Sequence, residues 1–158
     1  MINIALLGCG RIGQVHANSL LGIDGARVAA VCDAVPAAAD ALAERTGAKV
    51  MDTDAILADA DIDAVVIGTP TTTHYDLIHA AATEGKAIFC EKPIDLGVDR
   101  VRACLEVVNK AGALLMGQRE PTCLGAASKP DIPQNYGRLN VRTIFYGFMA
   151  VFSKPDQI

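Results

Sequence analysis

Three closely spaced glycines follow directly on a short, mostly apolar run at the start of the chain. The run covers residues 2–7, the glycines are Gly8, Gly10 and Gly13, and a helical pattern of apolar residues continues over residues 12–21. A strand, a glycine-rich turn and a helix in this order open a βαβ unit. The chain is therefore expected to begin a parallel α/β sheet.

The spacing of the glycines predicts a turn that binds phosphates. Gly8 permits a tight turn out of the strand, Gly10 lets the backbone approach a pyrophosphate, and Gly13 lets the helix pack closely on the strand. Unpaired backbone N–H groups and the positive end of the helix dipole stabilise phosphates at such a helix N-terminus. Arg11 and Ile12 lie between the second and third glycines and complete this set of predicted cofactor contacts.

An acidic residue is expected next to the adenosine ribose of a bound dinucleotide. Asp33 comes twenty residues after Gly13, at the end of a predicted strand over residues 27–32. Its carboxylate can accept hydrogen bonds from the adenosine ribose hydroxyls and would repel a 2′-phosphate. Residues 34–36 hold no arginine that could neutralise such a phosphate. The pattern predicts NAD in preference to NADP, and a glycine turn without a ligand is the alternative.

Strand and helix patterns alternate as far as residue 117. Six strands with intervening helices predict an α/β Rossmann fold, a doubly wound parallel sheet. Gly25, Gly47, Gly85 and Gly112 stand where left-handed residues are expected to end helices or turns. The predicted strands are 2–7, 27–32, 49–51, 64–67, 87–90 and 113–116, and the predicted helices are 12–21, 37–45, 53–58, 73–84 and 98–111.

Composition narrows the class of protein further. At 158 residues, with 51% hydrophobic and 20% charged residues, the chain suits one domain with a buried sheet. A net charge of −4 gives no indication of a nucleic-acid partner. The longest apolar run, residues 144–152, is too short to span a membrane, and the amino terminus lacks a signal-peptide pattern. We therefore expect a cytoplasmic protein.

Metal and disulfide sites are not expected from the sequence. The five cysteines form no C-x-x-C pair, and their odd number does not suit a disulfide framework. Acidic residues between positions 52 and 63 fit solvated helix ends and turns better than a metal site.

The character of the chain changes after residue 117. Residues 1–117 hold 9 basic and 15 acidic side chains, whereas residues 118–158 hold 5 and 3. The strand-helix alternation also stops, although residues 139–152 are rich in strand formers. We expect a domain at 1–117 and an atypical tail at 118–158, and we hypothesise that this tail is a foreign or out-of-frame ending.

Three segments together resemble the glucose-fructose oxidoreductase and inositol dehydrogenase family. They are residues 8–17 around the glycines, residues 68–74 with Thr69, Pro70, Thr71 and His74, and the triplet Glu91-Lys92-Pro93. The segments occur in the family's order and spacing over residues 1–117. The sequence from Glu91 onward is most similar to that of the inositol dehydrogenase branch. The resemblance implies an NAD(P)-dependent oxidoreductase of sugars or cyclitols.

The resemblance also implies roles for individual residues. Thr69, Pro70 and Thr71 would line the nicotinamide half of the cofactor, and His74 would begin the next helix beside it. Lys92 would reach the nicotinamide ribose and the hydroxyl being oxidised, with Glu91 in the same segment and with Pro93 after a cis peptide. For His74 the alternative is a polar helix residue bonded to backbone, and for Lys92 it is an ordinary surface lysine.

Members of this family carry a second α+β domain with an Asp-x-x-x-His pair, whose histidine removes the hydroxyl proton. The three histidines here, His16, His74 and His79, do not follow an aspartate at that spacing. Two hypotheses remain open. One is an NAD-dependent oxidoreductase of the inositol 2-dehydrogenase type, acting on a polyol such as myo-inositol, and the other is a truncated NAD-binding module with little or no turnover. The sequence does not indicate an oligomeric state.

Overall fold

The computed structural model describes residues 1–117, which form a six-stranded parallel sheet with helices on both faces. The expected tail at 118–158, including the strand-forming residues 139–152, lies outside the described residues. The strands are β1 (Ile2–Leu7), β2 (Ala26–Cys32), β3 (Lys49–Val50), β4 (Ala64–Ile67), β5 (Ala87–Cys90) and β6 (Leu115–Gly117). The helices are α1 (Arg11–Leu20), α2 (Pro36–Thr46), α3 (Thr53–Ala58), α4 (His74–Thr83) and α5 (Val98–Ala111).

The strand order in the sheet is β3-β2-β1-β4-β5-β6, and every pairing is parallel. The chain builds outward from β1 in one direction and then returns to continue from β4 in the other. Ligands of such sheets bind beyond the carboxyl ends of the strands, where the order reverses. The predicted doubly wound Rossmann fold is confirmed.

Buried apolar residues fill a layer on each face of the sheet. Helices α1 and α2 cover the first layer, in which Leu20 and Leu42 pack among strand residues such as Phe89. Helices α3, α4 and α5 cover the second layer, in which Ile78 and Val108 are fully buried. The strands read as continuous apolar runs because both faces of a parallel sheet are covered.

The predicted boundaries agree with the structure within one or two residues. The largest difference is the sixth strand, which covers Leu115–Gly117 and not residues 113–116. It starts later because the amide of Ala113 still donates to the carbonyl of Val108 in the turn that ends α5. The four predicted left-handed glycines, Gly25, Gly47, Gly85 and Gly112, all have positive φ.

None of the helices within residues 1–117 is both long enough and apolar enough to cross a membrane.

Phe89 tests the assignment of the first core layer. Its side chain is fully buried in β5, so Phe89→Ala is expected to lower the free energy of unfolding by about 3–5 kcal/mol. Leu96→Ala is the control, because Leu96 is 81% exposed and its truncation should change that free energy by less than about 0.5 kcal/mol. Urea unfolding followed by circular dichroism measures both, and equal effects would contradict the assignment.

Candidate functional site: the carboxyl edge of the sheet

Backbone hydrogen bonds align the carboxyl ends of four neighbouring strands, β2, β1, β4 and β5. The amide of Gly8 donates to the carbonyl of Cys32 at 2.8 Å, and the amide of Gly68 donates to the carbonyl of Leu7 at 2.8 Å. The amide of Glu91 continues the row by donating to the carbonyl of Ile67 at 2.9 Å. The glycine turn and the segments after β2, β4 and β5 therefore meet at one edge of the sheet.

Glycine is required where β1, α1 and the segment after β4 approach one another. Gly8 has a φ of +99°, and a Cβ there would lie 2.7 Å from the carbonyl carbon of Gly68. A Cβ on Gly13 would overlap the carbonyl oxygen of Gly8. Backbone atoms on both sides cannot move away as a flexible side chain could, so both contacts exclude a larger residue.

Gly10 has a different environment from the other two glycines of the turn. A Cβ built on it meets no protein atom within 4 Å, so the space in front of its backbone is open. Gly10 is the N-cap of α1 and supplies no side-chain cap, and the first turn of α1 holds no acidic residue. The open space at the positive end of a ten-residue helix fits a pyrophosphate.

Asp33 lies at the carboxyl edge of the sheet, and its carboxylate also stabilises the glycine turn. Its Oδ2 accepts a hydrogen bond from the amide of Cys9 at 2.6 Å, and its Oδ1 accepts one from the amide of Val35 at 2.8 Å. A carboxylate has about four lone-pair positions, so two backbone bonds leave acceptor capacity for ribose hydroxyls. Sequence reasoning predicted the ribose contact but missed this structural role.

A cavity of about 530 Å³ adjoins Asp33 between the ends of β2 and β3. Its wall is mainly apolar and it lies on the adenosine side of the predicted site, so it suits a purine ring. Sequence reasoning predicted Asp33 but missed the other lining residues, because those around the two-residue strand β3 carry no motif. The lining residues are Cys32, Asp33, Pro36, Ala39, Val50, Met51, Asp52 and Ala55.

The thiol of Cys9, inside the glycine turn, is not a reactive group. Its pKa is raised to about 11, mainly by burial and to a smaller extent by the nearby charge of Asp33. Cys9 also donates a hydrogen bond from Sγ to the carbonyl of Cys32 at 3.4 Å. It therefore stays a protonated thiol that packs the turn.

The segment after β4 forms a compact turn that leads into α4. Residues Thr71–Thr73 make one turn of 3₁₀ helix, with Pro70 before it in an extended conformation. The hydroxyl of Thr73 donates to Pro70 O at 2.8 Å and lies 2.7 Å from the hydroxyl of Thr69. The turn places Thr69, Pro70 and Thr71 at the carboxyl end of β4, beside Gly8.

His74, the first residue of α4, is 1% exposed and contacts two backbone carbonyls. Its Nδ1 lies 2.8 Å from the carbonyl oxygen of Pro93, and its Nε2 lies 2.9 Å from the carbonyl oxygen of Thr69. Carbonyl oxygens only accept, so each contact is a hydrogen bond when that ring nitrogen carries a proton. A direct contact between His74 and a cofactor stays a prediction, and the geometry shows a bridge between two segments of the edge.

Glu91 and His16 form a buried pair below the edge. Glu91 is 8% exposed, His16 is fully buried, and Oε1 of Glu91 lies 2.7 Å from Nε2 of His16. Burial alone would raise the pKa of Glu91, but the hydrogen bond and charge of His16, with smaller effects from Lys92, hold it below its usual value. Glu91 therefore carries its charge at neutral pH. Its predicted cofactor contact stays a prediction.

Lys92 is exposed at the same edge, directly after Glu91. Its peptide bond to Pro93 is cis, as the resemblance implied. The structure places Lys92 beyond the end of β5, and β5 lies next to β4 and its threonine turn. Arg11 is exposed at the start of α1, next to the glycine turn. The predicted site residues of all four segments therefore lie at one edge of the sheet.

Within residues 1–117, no three histidine, cysteine or acidic side chains converge in a group that could hold a metal ion. Asp52 instead caps α3, because its carboxylate accepts a hydrogen bond from the amide of Ala55 at 2.7 Å.

Comparison with known proteins identifies the fold and its cofactor. Residues 2–118 match the profile of an oxidoreductase family described by its NAD-binding Rossmann fold. The chain belongs to this family. NAD is the cofactor of the family's Rossmann domain, and the open space at Gly10 and the carboxylate of Asp33 fit it.

Three of the similar proteins are inositol dehydrogenases. Inositol 2-dehydrogenase of Rhizobium meliloti is 60% identical over 115 residues, which are 73% of this chain and 35% of that protein. The crystal structure of scyllo-inositol dehydrogenase from Lactobacillus casei with bound NAD(H) and scyllo-inositol matches with a TM-score of 0.70 and 31% identity, covering 74% of this chain and 36% of that one. A myo-inositol dehydrogenase from Corynebacterium glutamicum matches with a TM-score of 0.67 and 41% identity, covering 73% and 35%. The chain thus spans about a third of the length of these relatives.

Two glycines of the turn are expected to respond differently to the same substitution. Gly13→Ala should unfold or strongly destabilise the chain, because its Cβ would overlap backbone. Gly10→Ala should leave thermal stability nearly unchanged and weaken NAD binding at least about tenfold, because its Cβ would enter the open pyrophosphate space. Thermal unfolding and calorimetric NAD titration measure these effects, and a Gly10→Ala protein with wild-type NAD affinity would contradict the placement of the phosphates.

The Glu91 pair predicts an acid-sensitive contribution to stability. The pKa of Glu91 in the folded chain lies below its ordinary value of 4.5, so its contribution is complete above that value and is lost as the pH falls through the folded pKa. Glu91→Gln should therefore show a smaller loss of unfolding free energy between about pH 7 and pH 3 than the wild type. Urea unfolding at each pH gives the comparison. Glu106→Gln, which removes an exposed carboxylate on α5, should keep the wild-type pH profile, and a Glu91→Gln profile equal to the wild type would contradict the assignment.

Proposed function

We propose that the carboxyl edge of this sheet binds NAD for hydride transfer from a ring hydroxyl carbon of a polyol such as myo-inositol. The observation that carries the proposal is the alignment of the glycine turn, Asp33, the threonine turn and Lys92 along one edge, by the backbone hydrogen bonds of Gly8, Gly68 and Glu91. The named activities of the relatives supply the substrate class. Because the chain spans about a third of those relatives, the activity is proposed for the enzyme type to which this domain belongs.

Binding of the adenosine half depends on groups at β1 and β2. The backbone N–H groups at the start of α1 would hold the pyrophosphate in front of Gly10, and the cavity beside Asp33 would take the adenine. Asp33 would accept the ribose hydroxyls and exclude a 2′-phosphate by charge repulsion. The site therefore favours NAD over NADP.

The nicotinamide half would lie between the threonine turn and the Lys92 segment. NAD, when bound, accepts the hydride that leaves the substrate carbon. Thr69, Pro70 and Thr71 would line one side, and the ammonium group of Lys92 would hydrogen-bond the reacting hydroxyl. A positive charge there favours the oxygen as it loses its proton. Lys92 thus both orients the hydroxyl and stabilises developing negative charge.

A second candidate function is an NAD-binding module with little turnover. Oxidation of the hydroxyl needs a base within hydrogen-bond reach. Both ring nitrogens of His74 contact carbonyl oxygens, and His16 is fully buried against Glu91. His79 is exposed and lines a separate groove between α3 and α4. These positions favour binding without efficient proton removal by a histidine of this chain.

We also propose a cytoplasmic location. The four cysteines among residues 1–117, Cys9, Cys32, Cys90 and Cys104, are all free thiols, as is usual in a reducing compartment.

A paired assay separates the two functions. NAD binding is measured by calorimetry, and NADH formation from myo-inositol is measured by absorbance on the same preparation. Binding with turnover of at least about 1 per second supports the dehydrogenase, and binding without turnover supports the binding module. Absence of NAD binding would contradict both.

Asp33→Asn tests the basis of cofactor preference. Removal of the charge should reduce the ratio of NADP to NAD dissociation constants by at least about tenfold, since NADP would no longer meet a carboxylate. The ratio compares two ligands on one variant, so a partial loss of folded protein cancels. Asp24→Asn, in the exposed loop before β2, should leave the ratio unchanged. An unchanged ratio for Asp33→Asn would refute the assignment.

A further inference from the structure

Both neighbours of Lys92 in the chain are held by a buried histidine. The carboxylate of Glu91 contacts His16, and the carbonyl oxygen of Pro93 contacts His74. The two histidines come from different helices, α1 and α4, on opposite faces of the sheet. Lys92 itself is exposed between these two anchor points.

The first anchor joins Lys92 to the helix that begins at the glycine turn. His16 is three residues after Gly13 and is fully buried. Its ring meets the ring of Phe89 edge to face, with centroids 5.2 Å apart and an angle of 69°. Phe89 is part of β5, the strand that leads to Glu91. Packing thus fixes the imidazole, and a charge-assisted hydrogen bond of 2.7 Å fixes Glu91 against it.

The second anchor joins Lys92 to the threonine turn. His74 contacts the carbonyl oxygen of Pro93 on one side of its ring and that of Thr69 on the other. The imidazole is 1% exposed, so its ring nitrogens are shielded from solvent. One rigid side chain therefore sets the distance between the two segments proposed to enclose the nicotinamide.

We propose that His16 and His74 are positioning residues, which hold the backbone of Lys92 so that its ammonium group meets the nicotinamide ribose and the reacting hydroxyl. This inference rests on the proposed NAD function. A lysine side chain has four rotatable bonds, so a fixed backbone limits the volume that its ammonium group explores. The histidines act through Lys92 and are not themselves in contact with substrate.

A purely structural role would give a different result. If the histidines only stabilise the fold, substituting them would change the binding of every ligand alike, or change only the thermal stability. If they position Lys92, substituting them would weaken contacts on the nicotinamide side and leave those on the adenosine side unchanged. ADP is a suitable probe of the adenosine side, because it carries the pyrophosphate and lacks the nicotinamide ribose.

The test is a set of calorimetric titrations with NAD and with ADP. The variants are Lys92→Ala, His16→Ala, His74→Ala, and the double variants that combine each histidine substitution with Lys92→Ala. His79→Ala is the matched control, because His79 lies on the same helix as His74 but is exposed and lines a separate groove. His16→Gln retains a donor for Glu91 and serves where His16→Ala does not fold.

We expect Lys92→Ala, His16→Ala and His74→Ala each to raise the NAD dissociation constant about tenfold, while the ADP constant changes less than about twofold. In the Lys92→Ala background, either histidine substitution should add less than about a further twofold, because the lysine through which it acts is gone. His79→Ala should match the wild type, and His16→Gln should recover most of the NAD affinity.

Four results would overturn the proposal. Histidine effects that add fully to that of Lys92→Ala would show that they do not act through the lysine. Equal weakening of NAD and ADP would show a general structural role. A His16→Gln variant that binds NAD no better than His16→Ala would reject the anchoring of Glu91. A wild-type chain that binds ADP but not NAD would overturn both this proposal and the proposed function, whereas the first three results overturn only the positioning roles.

Discussion

The close approach of β1 and β4 at their carboxyl ends is the constraint on which the site depends. Gly8 lies against the backbone of Gly68, and Gly13 lies against Gly8, so three chain segments meet with no room for a side chain. This contact brings the start of α1 to the point where the strand order reverses. Because the contact consists of backbone on every side, a cofactor meets amide groups there that are already oriented.

Polar groups then fix the surrounding segments relative to that point. Asp33 ties the end of β2 to the glycine turn through the amide of Cys9. His16 and His74, whose imidazoles are both buried, connect the segment after β5 to α1 and to the threonine turn. A buried polar group that loses its partner costs free energy, so the chain must keep the geometry in which these bonds form. Each bond therefore adds a geometric restriction to the apolar packing of the two core layers. The edge is thereby organised before any ligand binds.

The sequence predicted the fold well because its signals are local. Apolar runs bounded by glycines marked the strands, and the spacing of Gly8, Gly10 and Gly13 marked the turn. Contacts between distant residues were not predictable in the same way, since His16 and Glu91 are 75 positions apart. A signal for His16 did exist, because it shares a helix face with the inward-facing Gly13 and Leu20, where a polar residue needs a buried partner. The adenosine cavity had no such signal, because Val50 and Met51 acquire their role only through the strand order.

Amide NMR spectra recorded during titration with NAD test the central claim most directly. A site along the carboxyl edge predicts that shifts concentrate at residues 8–13, at Asp33, and in the segments around Thr69 and Lys92. The amides at the amino ends of the same strands, such as Ile2 and Ala64, should remain unchanged. Shifts confined to those amino ends, or no shifts at saturating NAD, would contradict the account.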